Sequence, residues 1–198
     1  VPTFTDDFNR ADGSLGANWA TPSNASALAI VSNAVKGAAT TPTWGAARVD
    51  SSVGTFAADQ KATVTFTAIS NFDWAGPCVR MSSAGDYYGL LYYPTSGTNE
   101  LILSRWSGGT RTQLTTQVNT LVVGDTLTLI AQGSLLTVQK NGVTAYTFTD
   151  TTLTAGNPGI GYTWQNANGT AVDSFVGTDV LTSATPALGR YRIAWPRR

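Results

Sequence analysis

The segment FTDDFNRADGSLGANW, residues 4–19, gathers Asp6, Asp7, Asn9 and Asp12 around one arginine, Arg10. A hard cation such as calcium takes about six to eight oxygen ligands, and these side chains offer several within one loop. Asp173, on a strand expected to lie beside the first, completes a candidate structural Ca2+ set. The spacing departs from the Asp-x-Asp-x-Asp-Gly order of an EF-hand, and no acidic residue stands where such a loop closes. The competing reading is a corner of a β fold. Asp12 before Gly13 makes a turn whose carboxylate can bond its own backbone, Gly13 and Gly16 reverse the chain, and Arg10 pairs with a nearby carboxylate. Phe8 and Trp19 then enter the core beside Phe175.

Catalytic chemistry has little material. Glycoside cleavage needs two carboxyl groups facing each other across the bond, one protonated and one ionised. Only aspartates and the single Glu, Glu100, could supply them. The chain has no His and one Cys, Cys78, which removes Ser-His-Asp and Cys-His nucleophile arrangements and any imidazole or thiolate zinc site. The expectation is a protein that is not an enzyme. Beyond the Ca2+ set, no cofactor motif is present. The Gly-rich pieces SGGTR and NPGIG read as turns, because neither opens a helix on which a phosphate could sit.

Aromatic residues offer binding instead. In DYYGLLYY, residues 86–93, Tyr88 and Tyr92 share one strand face while Tyr87 and Tyr93 share the other. One face must be core, so the other is aromatic surface. Rings stack on the apolar faces of pyranoses while Asn, Asp, Gln and Arg fork onto hydroxyls. Arg80 alternates with Val79 and Met81, and Arg105 precedes Trp106 in its strand. A glycan groove lined by Arg48, Trp74, Arg80, Tyr88, Tyr92, Arg105 and Trp164 is therefore expected. Its alternative is that the tyrosines fill space between sheet and loops, with an arginine stacked over them.

The frame that must position these residues is β structure. At 198 residues the chain can bury one substantial core, and all-β sandwiches of this size form single domains. Only 12% of residues are charged while 42% are hydrophobic, which excludes disorder by composition. Basic and acidic residues balance, 12 against 12, so no basic field draws nucleic acid or an anionic membrane. No stretch reaches the roughly 18 apolar residues of a membrane helix. Helical periodicity is absent and strand alternation recurs. Lys61 to Ile69 places Ala62, Val64, Phe66 and Ala68 on one face and Thr63, Thr65 and Thr67 on the other. Asn141-Gly142 supplies a type I′ hairpin turn, and Gln132-Gly133 turns the strand before it. Further strands are expected at Ala46 to Asp50, Pro77 to Ser82, Tyr87 to Tyr93, Glu100 to Trp106, Gly159 to Trp164 and Ala171 to Leu181. Short strands at such intervals predict a two-sheet sandwich, with a barrel as the alternative. One cysteine rules out an intramolecular disulfide, and Cys78 reads as a small core residue.

The series DDFNRADGSLGANW, GPCVRMS, DYYGLLYY, LILSRW, GDTLTLIAQGSLLTVQKNG, GIGY and VDSFVGTDV resembles the concanavalin A-like (laminin-G-like) jelly-roll superfamily across residues 4–181. The resemblance implies an all-β, two-sheet antiparallel jelly-roll β-sandwich over residues 1–182. Some glucanases of that superfamily carry an E-x-D-x-E or E-x-D-x-x-E set along one strand, and no such spacing occurs here; its polysaccharide lyases use His, which is absent. The opening motif also resembles one in bacteriophage virion proteins, chiefly minor tail and capsid-surface proteins, which implies an accessory role on a phage particle. Residues 183–198, SATPALGRYRIAWPRR, fall outside the likeness and read as an extended docking tail. Arg190, Tyr191, Arg192, Ile193, Trp195, Arg197 and Arg198 are the side-chain types that dominate interfaces, and Pro186 and Pro196 discourage regular structure.

The expected partners are thus other virion proteins, through that tail, and glycans. The chain opens at Val1 without a charged-then-apolar leader, read as initiator Met trimming and synthesis in a host cytoplasm. The expected location is the virion surface. A removed signal peptide is the alternative, and with it a secreted carbohydrate-binding module or lectin domain.

Overall fold

The structure, a computed structural model, describes residues 1–37, 43–164 and 169–181. Sixteen strands follow one another along them. The first six are β1 (Thr3–Asp6), β2 (Gly13–Ser14), β3 (Trp19–Ala20), β4 (Leu28–Ile30), β5 (Val35–Gly37) and β6 (Thr43–Val49). Next come β7 (Gln60–Ala68), β8 (Trp74–Met81), β9 (Tyr87–Tyr93), β10 (Glu100–Ser107) and β11 (Thr110–Val118). The last are β12 (Thr126–Gln132), β13 (Leu135–Lys140), β14 (Val143–Thr149), β15 (Asn157–Trp164) and β16 (Ala171–Asp179). No helix occurs among the described residues.

The larger sheet runs β14-β13-β12-β7-β16-β5-β4-β2, with β1 also paired to β16, and the smaller runs β11-β10-β9-β8-β15-β6-β3. All pairings between these strands are antiparallel, and the two sheets stack as the expected jelly-roll sandwich. The expected docking tail, residues 183–198, lies outside the described residues.

Alternation explains β7. Gln60, Ala62, Val64 and Phe66 are buried while Thr63 and Thr65 are half-buried on the other face. Leu127, Leu129 and Ala131 of β12 and Leu136 and Val138 of β13 extend that inner face. The smaller sheet answers with Ala47, Val49, Ala75, Val79, Tyr88, Leu90, Tyr92, Leu101, Leu103, Ile160 and Tyr162. Each such large side chain taken from water stabilises by about 1.5–3 kcal/mol.

Turn chemistry sets the register. Asn141 (φ 50°) and Gly142 (φ 76°) close β13 onto β14 opposite Lys140 and Val143, as the sequence predicts. Gly108 (φ 57°) and Gly109 (φ 77°) do the same between β10 and β11, with Ser107 opposite Thr110. SGGTR is therefore a turn that opens a strand. NPGIG is no turn: it begins β15, where a Cβ on Gly159 would lie 2.4 Å from the Ala47 carbonyl. Close backbone approach, not chain reversal, selects that glycine.

The opening segment forms a corner. Phe4, Phe8, Trp19 and Phe175 pack together, with the Trp19 and Phe175 ring centroids 4.9 Å apart. Asp6 anchors it, accepting from Arg10 Nη1 at 2.6 Å, from Trp19 Nε1 at 2.7 Å and from the Phe8 amide at 2.9 Å. Burial pushes the Asp6 carboxyl upward, but these donors together hold it below the usual carboxylate value.

At one end of the sandwich β8 departs from regular alternation. Arg80 adopts φ 54°, opposite a register shift between Asn157 and Gly159 of β15. The bulge turns the Arg80 side chain inward, where only 2% of the residue is exposed.

Candidate functional site

Two faces of the smaller sheet bury apolar side chains. Beyond the main core, Ala46, Cys78, Met81, Tyr87, Leu91 and Trp106 form a second cluster on the outer face, with Ala25, Trp44 and Trp74 packed against it. This double coverage is why β8 is buried at nearly every position.

Six side chains build the site. Trp44 of β6 stands between Trp74 of β8 and Trp106 of β10, edge to face with both, at centroid distances of 5.7 and 5.0 Å. Trp106 stacks on Tyr87 at 4.5 Å with 13° between planes, and Trp74 meets Tyr93 at 4.5 Å. Arg111 of β11 lies across the row, its guanidinium carbon 4.8 Å from the Trp74 centroid and 5.8 Å from those of Trp44 and Trp106. Arg111 Nε donates to Ser104 Oγ at 3.0 Å and Nη2 to Gln113 Oε1 at 3.4 Å, which fixes the planar head. Trp44, Trp74, Tyr93 and Arg111 are half-buried and offer surface to solvent.

Small residues make the row possible. A Cβ on Gly89 would lie 2.9 Å from the Trp106 ring, and one on Gly161 would lie 2.8 Å from Cys78 Sγ. The buried indole nitrogens of Trp74 and Trp106 have no hydrogen-bond partner among the described residues. Edge-to-face ring contacts are the geometry in which such an edge meets a π face. Burial drives the Tyr87 phenol well above its ordinary value, so it stays neutral, and burial lowers the Arg111 pKa. Asn24, Ala25, Trp44, Tyr87, Trp106, Gly109 and Arg111 enclose a pocket of about 100 Å³. That volume suits one substituent of a ligand, while the half-buried indoles beside it suit a ring face.

The expected groove residues divide between the faces. Trp74 lies in the row, and Arg48 lies further along the outer face of β6, 4.0 Å from Asp50. Tyr88 and Tyr92 face the main core, fully buried, which corrects the expectation that theirs is the exposed face. Both faces of DYYGLLYY are apolar, so its alternation alone does not say which is inside. Their hydroxyls reach the core's rim, where Tyr88 donates to Asp150 at 2.5 Å and Tyr92 accepts from the Leu121 amide at 3.2 Å. Arg105, opposite Tyr88, donates to Asp150 Oδ2 at 2.6 Å on that same inner side. Arg80 is also interior, donating to the carbonyls of Ala58, Leu153 and Gly133. Trp164 ends β15, and its side chain lies outside the described residues. Trp44, Tyr87, Tyr93, Trp106 and Arg111 are the members that the expected groove omits.

Three of the Ca2+ candidates accept backbone amides. Asp7 accepts from the Asn9 amide at 3.1 Å, Asp12 from the Ser32 amide at 2.8 Å and Asp173 from the Ser174 amide at 2.6 Å. Among the described residues, no group of three or more His, Cys, Asp or Glu side chains could hold a metal ion. Asp6 and Asp7 do line a larger hollow of about 390 Å³ with Thr5, Ser174, Phe175 and Val176.

No family model matches the chain, and no curated protein matches it. Solved structures do. The carbohydrate-binding module CBM66 from Bacillus subtilis is 12% identical at TM-score 0.59, covering 85% of this chain and 96% of its own. The carbohydrate recognition domain of Emp47p is 12% identical at TM-score 0.60, covering 90% and 95%. A prokaryotic β-1,3-1,4-glucanase (lichenase) derived from a mouse hindgut metagenome is 10% identical at TM-score 0.61, covering 91% and 100%. That last likeness corrects the expectation of no enzymatic activity: a glucanase has this same sandwich, so the fold admits glycan-active enzymes, and a missing spacing motif does not exclude them. The phage resemblance rests on the opening motif alone. What these likenesses establish is the architecture: the chain folds as a two-sheet antiparallel jelly-roll sandwich.

Proposed function

We propose that the protein binds glycans on the outer face of the smaller sheet. The observation that carries this reading is the half-buried Trp44 and Trp74 flanking Arg111 above an otherwise sealed sheet. Two indoles with solvent-facing area offer stacking surface for pyranose rings, and Arg111 and Asn24 offer donors for hydroxyls. Among the described residues, the larger sheet has no comparable row of rings: Thr63, Thr65 and Thr128 lie on its outer face. The sugar-recognising names of two solved structures with this fold support the reading by analogy.

A glycan array, followed by calorimetry on the strongest ligand, tests it. Trp44→Ala and Trp74→Ala should each weaken binding at least tenfold while the folded state persists by circular dichroism. Absence of any bound glycan, or affinity unchanged in both variants, overturns the reading.

A finer placement, on the surface of a phage particle, rests on the resemblance of residues 6–19 to virion proteins. Mass spectrometry of density-gradient fractions from a lysate of the source tests it. Co-sedimentation with DNA-filled particles in many copies supports it, and recovery only in the soluble fraction favours a free lectin domain.

A further inference from the structure

Five arginines lie among the described residues, and four of them sit within 4.0 Å of a carboxylate: Arg10 with Asp6, Arg48 with Asp50, Arg80 with Asp59 and Arg105 with Asp150. Arg111 is the exception, forming no ion pair among the described residues. It is also the arginine on the aromatic row. The lining of the pocket beside it contains no acidic residue, and its only other titratable member, Tyr87, is held neutral by burial.

A half-buried guanidinium without a counter-ion is costly unless something compensates it. Three indole faces compensate in part. Hydrogen bonding does less, since the neutral acceptors Ser104 and Gln113 engage Nε and Nη2 and, among the described residues, no acceptor engages Nη1. A planar fork with free donors, held rigid at a small pocket whose lining has no acidic residue, matches a carboxylate in shape and charge. The pocket's volume of about 100 Å³ suits that group rather than a whole sugar.

We infer that the ligand is an acidic saccharide whose carboxylate takes the place beside Arg111 while its ring rests on Trp44. This inference rests on the proposed glycan site and deepens it by naming the charge its ligand carries. Arg111 thereby becomes the residue that decides between acidic and neutral sugars, because a neutral ring leaves the guanidinium without a counter-ion.

The test uses the full chain and matched probes. Oligogalacturonate, hyaluronan and alginate tetramers, each beside its carboxyl-reduced neutral counterpart, are titrated by calorimetry together with a sulfated and neutral glycan array. At least one carboxylated probe should bind, at least tenfold more tightly than its reduced form. Arg111→Gln should abolish that preference, and Arg111→Lys should restore it only in part, because an ammonium lacks the fork. Thermal unfolding of both variants confirms that they fold. Should Arg111→Gln fail to fold, raising the salt concentration with wild-type protein serves instead, weakening the carboxylated probe and sparing the neutral one.

Binding confined to neutral glycans, equal affinity for both members of each pair, or binding to sulfated glycans alone overturns the acidic-sugar inference and leaves the glycan site standing. Absence of binding to every glycan overturns both.

Discussion

Gln60 Oε1 accepts the Arg80 backbone amide at 3.0 Å, joining β7 of the larger sheet to β8 of the smaller through a buried hydrogen bond. The Gln60 side chain also donates from Nε2 to the carbonyls of Ala57 and Gly156, at 2.7 and 2.8 Å. Arg80 donates onward to three carbonyls, with Asp59 3.7 Å away. One amide and one guanidinium thus satisfy most of the backbone that the end of the sandwich would otherwise strand.

Removing either residue should destabilise strongly. Arg80→Ala leaves three part-buried carbonyls without their donor and Asp59 without its cation, and removes a fully buried side chain, an expected loss of about 3 kcal/mol in chemical denaturation. Arg80→Lys should recover little of it, because one ammonium cannot reach carbonyls spread around a planar fork. A loss below about 1 kcal/mol for Arg80→Ala would show that water substitutes for the guanidinium.

The β13–β14 turn offers a smaller, cleaner effect. Gly142 sits at φ 76° with open space where a Cβ would be, so Gly142→Ala tests backbone strain alone. The expected loss is about 1–2 kcal/mol, read as a lower midpoint with an unchanged denaturant slope.

Acid should unfold the protein in part through Asp6 and Asp150. At Asp150, burial pushes the carboxyl up, and donors from Tyr88, Thr152 and Arg105 outweigh it, so its pKa falls below the ordinary value, as does that of Asp6. A depressed folded pKa means the contribution is whole above about pH 4, the unfolded value, and is lost as pH falls through the lower folded one. Thermal midpoints measured from pH 7 to pH 2.5 should fall most steeply below pH 4. Asp6→Asn and Asp150→Asn should flatten that fall while lowering the midpoint at pH 7.

Tyr88 sets the opposite limit. Burial first, and then its hydrogen bond to Asp150, raises the phenol to about 12. Its contribution is whole below about pH 10, where the unfolded phenol titrates, and is lost as pH rises toward the folded value. Tyr88→Phe should remove this alkaline component from a midpoint series run between pH 8 and pH 11.5.

Cys78, the single cysteine, should be inert in the folded protein. It is fully buried under the aromatic row, and burial pushes its thiol well above the ordinary value. A chromogenic disulfide reagent should label it only as fast as the sandwich opens, and fully in denaturant. Rapid labelling in native buffer would mean that the aromatic layer lifts without global unfolding.

The sequence makes the sandwich legible and half hides the site, for one reason in each case. Strands such as β7 face core on one side and solvent on the other, so alternation marks them, and Asn141-Gly142 marks their joint. β9 faces apolar layers on both sides, so its two sets of rings can be separated but not assigned. β11 is an edge strand of threonine, glutamine and arginine with little to bury, and it passes unread after SGGTR. Arg111 is on that strand. Tyr87, Trp106 and Trp44 come from three strands that only the sheet order brings together, although the same-face positions of Tyr87 and Tyr93 hold part of the signal. Arg80 reads as an alternating surface residue because a bulge leaves no mark in residue type.

The pairing of β1 with β16 brings Thr3 beside Thr178, with their hydroxyls 2.8 Å apart. Both ends of the sandwich therefore depart from the larger sheet, on the layer opposite the aromatic row. A linker joined before residue 1 would therefore lie behind the molecule, on the side away from the tryptophans. The same adjacency makes the sandwich of residues 1–181 a candidate for circular permutation, with its ends bridged by a few residues and new ones opened at the exposed Asn141-Gly142 turn.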